Sequence, residues 1–273
     1  GDSITRGAQS MDTMTHPDFQ GRGIFTKLAT TCYEQAERSG YQVLYGFPNP
    51  LSYPGFVNRL GWTHAGDMTH WIRLISVSGI SRIPPPVRPF VNVAAKLLPK
   101  GSTKGFEITY GKPPAGELEP LLAAWERAAA PCGVHRSAGW LDWRYAESAE
   151  NNYIWVCAYQ DDALQACGVW GMQNASWGSV ADQRAHLVEL LGSDIRALKA
   201  VVAAVIDQAS SQGAILLETV SNIDRLNKIF RRAGFYAHRQ APFIVRTLGQ
   251  WTPEVDVLSN GNWHIFGGDI DTF

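Results

Sequence analysis

The sequence predicts a mixed α/β fold, of the α+β kind, in two units that each flank a mixed central sheet with helices, the first unit being truncated. Three observations carry that expectation. The chain has 273 residues, about twice the usual ~150 residues of a domain. Its composition, 45% apolar and 18% charged, supplies a core for each unit and argues against disorder or low complexity. The most specific is an internal repeat. The stretch from Glu34 to Gly40 resembles that from Asp207 to Gly213, an offset of 173 residues. Without a gap the same offset carries Leu44 onto Leu217, Asn49 onto Asn222, Arg59 onto Arg232, Gly61 onto Gly234, Trp62 onto Phe235 and Arg73 onto Arg246. One register held across several elements marks a duplicated supersecondary unit.

Residues 9–15 are expected to form a strand. Residues 24–39 have helical apolar spacing and end at Gly40, a suitable left-handed terminator. The short apolar run 43–47 reads as a buried strand. Asn49 follows, then a short helix ending at Gly61 and a strand opened by Trp62. The second copy repeats this order: helix 195–212, strand 215–220, Asn222, a short helix to Gly234, and a strand from Phe235. It also has a front end: strand 105–110, helix 118–130, a hairpin of 153–159 and 163–172 around Asp161-Asp162, and strand 185–191. The first copy has only 9–15 before its helix. Gly1 is therefore expected to mark a truncation, with the first sheet left at an exposed edge or cleft. Three consecutive prolines, Pro84 to Pro86, and the Gly/Ser-rich 99–105 interrupt regular structure, with a short helix at 90–98 between them. The expected division is 1–80, a connection at 81–104, and 105–273. A turn-rich stretch at 249–262 precedes a last strand-like piece, 263–266.

Charge and cysteine narrow the function. Basic and acidic residues nearly cancel, 24 against 25, which speaks against a nucleic-acid binder. Residues 1–104 carry 11 Lys and Arg against 6 Asp and Glu, and the remainder 13 against 19. No apolar run is long enough for a membrane-spanning helix, and no secretory leader is visible. Cys32, Cys132, Cys157 and Cys167 lack metal-ligand spacing and read as buried thiols of a cytoplasmic protein. The seven histidines are dispersed, so no metal site is expected.

The chemistry-bearing stretch is His16-Pro17-Asp18-Phe19-Gln20-Gly21-Arg22-Gly23-Ile24-Phe25, between a strand and a helix. Two glycines admit a ligand close to the backbone, and a helix start offers unpaired N–H groups to an anion. Arg22 adds a charge. The loop is neither a complete G-x-G-x-x-G nor a Walker A sequence.

The order strand, Pro-x-x-Gln-x-x-Gly, long helix, strand, Asn, short helix and Gly-aromatic resembles the GNAT N-acetyltransferase superfamily. Gln20, Gly21, Arg22, Gly23, Ile24 and Phe25 occupy its pyrophosphate loop, Gln/Arg-x-x-Gly-x-Gly/Ala, with Phe25 departing from the small sixth residue. The resemblance covers about 9–75 and, more faintly, 105–248. It implies a tandem GNAT protein, of the kind found among bacterial amine or amino-sugar acetyltransferases. It implies acetyl-CoA as acyl donor and a small amine as acceptor, with a homodimer as a candidate assembly. Asn49 would contact the pantetheine arm, with Met14 or Thr15 giving the main-chain N–H for the oxyanion and Phe56 joining the cofactor contacts. The amine needs a base and the leaving thiolate an acid. Asp12 is the carboxylate in 10–15 and the candidate base or amine anchor; a surface role or a partnership with Arg6 is the other reading. His16, an imidazole of the kind that transfers protons near neutral pH, reads as a loop residue. The family's acid is a Tyr four residues before the Gly-aromatic glycine. Val57 and Phe230 stand there, so Tyr53, one turn earlier, is the substitute, with packing as its other reading. Ser52 is a weaker donor.

At the 173 offset Gln20, Gly21 and Gly23 become Ser193, Asp194 and Arg196. Ser193 or Asp194 is a good helix cap, and an Asp at the anion-binding end would repel a pyrophosphate, so the second copy is expected not to bind the cofactor. Trp140, Trp143, Trp155, Trp170 and Trp177 could stack a sugar or fill the core. Asp269 and Asp271 could hold a cationic acceptor or be exposed tail charges. The leading function is an acetyl-CoA-dependent N-acyltransferase with its cofactor on the first copy; a non-catalytic acyl-CoA or partner-binding module is the alternative. Aminoacyl transfer from tRNA finds no support in the near-neutral charge.

Overall fold

The computed structural model describes residues 4–11, 13–77, 84–146, 152–172 and 183–270. In the first copy β1 (Gly7–Ser10) leads through a single 3-10 turn, Pro17–Phe19, to α1 (Ile24–Arg38), β2 (Val43–Gly46), α2 (Tyr53–Arg59) and β3 (Thr63–Leu74). Helix α3 (Arg88–Leu97) follows in the connection. Then come β4 (Glu107–Tyr110), α4 (Ala115–Ala128), β5 (Cys132–Gly133), α5 (Ala138–Leu141), β6 (Ile154–Gln160) and β7 (Ala163–Met172). The second copy runs β8 (Arg184–Gly192), α6 (Ile195–Ser211), β9 (Leu216–Ser221), α7 (Asp224–Arg232) and β10 (Tyr236–Thr247), and β11 (Trp263–His264) comes last. Gly40 and Gly213 end the long helices at φ 81° and 80°, and Gly61 and Gly234 the short ones at 68° and 77°. That left-handed backbone is why both copies keep glycine there.

Two compact units result. Unit 1 is Gly1–Met68 with Gln240–Trp263, and unit 2 is Thr69–Arg239 with His264–Phe273. In unit 1 the strand order is β1-β2-β10, with β1 parallel and β10 antiparallel to β2. In unit 2 the order is β3-β9-β8-β7-β6-β4, with β3 antiparallel to β9. The units therefore depart from the linear division 1–80, 81–104 and 105–273. Residues 69–74, from the first copy, pair with β9 of the second. Residues 244–247, from the second, pair with β2 of the first. The copies have exchanged their last strands. The matched arginines follow the exchange. Arg246 donates to Leu60 O, at the end of α2. Arg73 donates to Ala233 O, at the end of α7, and to Pro99 O at 2.7 Å.

The expected strand 9–15 is instead Gly7–Ser10. Its partner β2 stops at Gly46, shortly before Pro48 and Pro50, and prolines cannot continue the ladder. Residues 13–16 are thus unpaired by any strand. The core is unequal. In α6, ten residues are buried, including Val201, Val202 and Val205. In α1 none is. There Phe25, Ala29, Tyr33 and Ala36 lie half-covered on a small cluster of Leu44, Phe56, Leu60, Trp62, Ile244 and Leu248. The four cysteines are not all buried as expected. Cys157 and Cys167 are, but Cys32 is exposed on α1, a helix that covers only its inner stripe. Among the described residues no helix is long and apolar enough to cross a membrane.

Candidate functional site

The glycine loop is built by local hydrogen bonds. His16 and Pro17 carbonyls accept from Phe19 N–H at 2.9 Å and Gln20 N–H at 3.2 Å. The Gln20 side-chain amide reaches back to Thr15 O at 3.1 Å and fastens the loop to the segment before it. Gly21 and Gly23 then turn with φ 74° and 71°. A Cβ at either would meet nothing within 4 Å. The glycines are there for backbone conformation and open approach, not to avoid an internal clash. Gly23 caps α1 without a side-chain hydrogen bond, and the first turn holds no acidic residue. The first N–H groups of a helix have no intrahelical partner, so the positive end of α1 faces an open cradle. This fits an anionic diphosphate. The Arg22 guanidinium lies over the Phe19 ring at 5.1 Å, at the same cradle.

Phe25, the departure at the sixth place, has a physical cause. Its ring meets Phe56 edge-on at 5.4 Å. It lies where a Cβ on Gly55 would be only 2.8 Å from Phe25 Cε1. A glycine on α2 thus makes room for the aromatic on α1. Asn49 starts α2. Its Oδ1 accepts from Leu51 and Ser52 N–H, at 2.9 Å each. Ser52 Oγ donates to Asn49 O at 3.3 Å, which ties this weaker donor into the turn. The Tyr53 ring meets His64 at 5.8 Å, and His64 Nε2 lies 3.7 Å from Asp67 Oδ1. The sequence reading missed His64; its two-residue distance from Trp62 on β3 was the available signal. Val57, at the family's tyrosine position, packs half-buried against the small core. Met14 is 90% exposed, and Asp12 lies outside the described residues.

The equivalent loop of the second copy is chemically different. Asp194 caps α6, its Oδ1 accepting Arg196 N–H at 2.6 Å. Its other oxygen lies 3.3 Å from the Arg196 guanidinium. The carboxylate uses the donors and brings negative charge where an anion would sit.

Two other candidates are corrected. Asp269 is not an exposed tail charge; Asp271 is outside the described residues. Asp269 is buried, 2.7 Å from the Arg136 guanidinium. Arg136 also meets Glu189 at 3.2 Å. Burial alone would lower the Arg136 guanidinium, but the Asp269 and Glu189 carboxylates hold it above its ordinary value. Among the described residues the tryptophans bear out the core reading more than a sugar platform. Trp155 and Trp170 are core residues, and Trp140 lies over Arg136 at 4.7 Å. Trp143 is exposed; Trp177 is outside the described residues.

The family profile described as an acetyltransferase (GNAT) domain matches residues 1–65. That stretch holds the whole glycine loop, Asn49 and the Gly61-Trp62 pair. Residues 1–65 are thus similar to a GNAT acetyltransferase domain, and the chain as a whole has the fold of a tandem GNAT protein. Solved structures share its fold. The tandem GNAT protein from the clavulanic acid biosynthesis pathway aligns at TM-score 0.57 and 15% identity, over 91% of this chain and 77% of that one. The GCN5-related N-acetyltransferase of Anabaena variabilis gives 0.55 and 10%, over 84% and 52%. That of Kribbella flavida gives 0.52 and 15%, over 88% and 52%. This chain thus spans about half the length of the last two. Comparison with curated proteins gives no match. Among the described residues no group of His, Cys, Asp and Glu could hold a metal ion.

Proposed function

We propose that the chain is an acetyl-CoA-dependent N-acyltransferase acting on a small amine or amino-sugar, with the acyl donor held by unit 1. The observation that carries this reading is the open cradle at Gln20 to Phe25, with two left-handed glycines and an uncapped helix start. There the main-chain N–H groups of Gly21 to Phe25 would take the pyrophosphate, and Arg22 would add charge. Asn49, Phe56 and the main chain at Met14 and Thr15 would line the path of the pantetheine arm. Bound acetyl-CoA supplies an activated thioester. The chain must then neutralise the amine and deliver a proton to the leaving sulfur. Asp12 and Tyr53 are the groups assigned to those two steps. The second copy, with Asp194 at its helix start, serves the fold or the acceptor pocket.

The test is release of free thiol from acetyl-CoA with a panel of amines. Turnover should be lost in Gly23→Asp and kept in Asp194→Ala; the opposite pattern would move the site to unit 2. Val57 in place of the expected tyrosine favours a second reading, an acyl-CoA-binding module without catalysis. Calorimetric CoA binding with no thiol release on any amine would select it.

A further inference from the structure

In unit 2 the strands that correspond to β1 and β2 part early. β8 and β9 run parallel and pair at Arg184 with Leu216, Ala185 with Leu217 and His186 with Glu218. The Thr219 hydroxyl still donates to Leu187 O at 2.8 Å. Beyond that point residues 264–270 lie between the strands. On the β9 side Phe266 bridges Ser221. Ile265 N–H donates to Asn222 Oδ1 at 2.9 Å, and Asn222 N–H donates to Ile265 O at 3.4 Å. On the β8 side Gly267 and Gly268 press on the backbone. A Cβ on Gly267 would lie 3.2 Å from Leu187 O and 3.3 Å from Val188 Cα. One on Gly268 would lie 2.9 Å from Val188 O. Only glycine fits so close.

The segment is fastened at its far end. Asp269, paired with Arg136 at 2.7 Å, accepts Phe266 N–H at 2.9 Å. Glu189 holds the other side of Arg136 and accepts from the Tyr145 hydroxyl at 3.1 Å. Arg144 donates to Gly268 O at 3.1 Å and to Ile270 O at 3.2 Å. Phe266 is fully buried. A buried ion cluster of this kind keeps its geometry because breaking one partner strands a charge.

The 173 offset identifies the walls. Leu187, Val188 and Asn222 correspond to Met14, Thr15 and Asn49, the residues assigned above to the arm of the acyl donor. In unit 1 Met14 and Asn49 are exposed. In unit 2 the same three positions are covered by the chain's own backbone. We infer that residues 264–270 are a resident peptide occupant of the second unit's acyl-CoA groove, so that the chain has one acyl-CoA site, in unit 1. The segment makes a single bridge at Phe266 and then a 3-10 turn over Gly267–Asp269, and its amide groups take the hydrogen bonds that the donor's arm would make there. This rests on the reading of Met14, Thr15 and Asn49 given above.

Two measurements on the full chain test it. Titration with CoA should give one site per chain and none in Gly23→Asp; two sites, or a site that survives Gly23→Asp, would overturn the inference. Amide hydrogen exchange at residues 264–270 should be slowed by roughly two orders of magnitude or more relative to free peptide, equally with and without saturating CoA. Faster exchange there on adding CoA would show displacement and overturn it, as would exchange at free-peptide rates. If the wild type binds no CoA, the reading of unit 1 fails, and the exchange result alone decides whether the groove is filled.

Discussion

Replacing Gly55 by Ala sets two opposing effects against each other at the candidate cradle. Gly55 lies within α2 and is not at positive φ, so alanine gains helix propensity of about 1 kcal/mol. Against this, the new methyl would sit 2.8 Å from Phe25 Cε1, about 0.7 Å inside ordinary carbon contact. Overpacking of this kind costs about 1–3 kcal/mol. The expected net effect is a loss of about 0–2 kcal/mol, small enough to leave the fold intact. The larger consequence is local. Phe25 is in the first turn of α1, and a displaced ring carries the first N–H groups with it. Weakening one hydrogen bond there costs about 0.5–1.5 kcal/mol, roughly 2- to 12-fold in Kd for CoA. Denaturant unfolding and calorimetric CoA titration of Gly55→Ala, Phe25→Leu and the double variant separate the terms. The double variant should recover affinity relative to Gly55→Ala, a coupling that contacting residues show. A Gly55→Ala protein about 1 kcal/mol more stable than wild type, with unchanged CoA affinity, would refute this account of the sixth place.

Arg246→Met should cost about 2–4 kcal/mol in denaturant unfolding, because it removes a charged donor from Leu60 O and a cation from the Tyr33 ring at 5.2 Å; a loss below about 0.5 kcal/mol would show that the cap is idle. Stability should fall as pH drops from about 6.5 toward 4. Burial, aided by Arg136 and Arg225, lowers His264 to about 3, and burial, aided by Arg184, lowers His186 to about 4. Both stay neutral in the native protein while the unfolded chain takes up protons below 6.5, so stability is complete above 6.5, with a slope of up to about 1.4 kcal/mol per pH unit for each group. His264→Phe should flatten that slope in urea titrations at pH 7.5, 6 and 5. A thiol reagent should label exposed Cys32 at once in the native protein, whereas buried Cys157, its thiol pushed up to about 12 by burial and by Glu117, and Cys167 should react only on unfolding; peptide mapping after a short pulse reads this directly.

Much of the architecture was legible because glycine and hydrophobic period report local geometry. Gly40, Gly213, Gly61 and Gly234 each mark a helix end, and Asp161-Asp162 marks the hairpin, where both residues take positive φ. The cradle was legible for the same reason, since Gly21 and Gly23 advertise a left-handed backbone. What depends on distant partners was not. The offset says that residues 69–74 resemble 242–247, but not which strand each one joins. Asp269 looks like a tail carboxylate until Arg136 is seen beside it. Phe25 looks like an error in the loop until Gly55 shows the space left for it. Strand 9–15 was overdrawn because alternation cannot reveal that its partner ends before a proline.

The strand exchange has a consequence during synthesis. Unit 1 needs residues 240–247 to close its small core, and Arg246 reaches its partner Leu60 across 186 positions of sequence. At about 5–20 residues per second, Leu44, Phe56 and Trp62 wait roughly 10–40 s on the ribosome before the strand that covers them emerges. Unit 2 likewise waits for Phe266 to Ile270, which lie between β8 and β9. Both cores therefore stay open until residues 240–270 have been made, which makes the nascent chain a natural client for chaperones and a poor candidate for domain-by-domain folding.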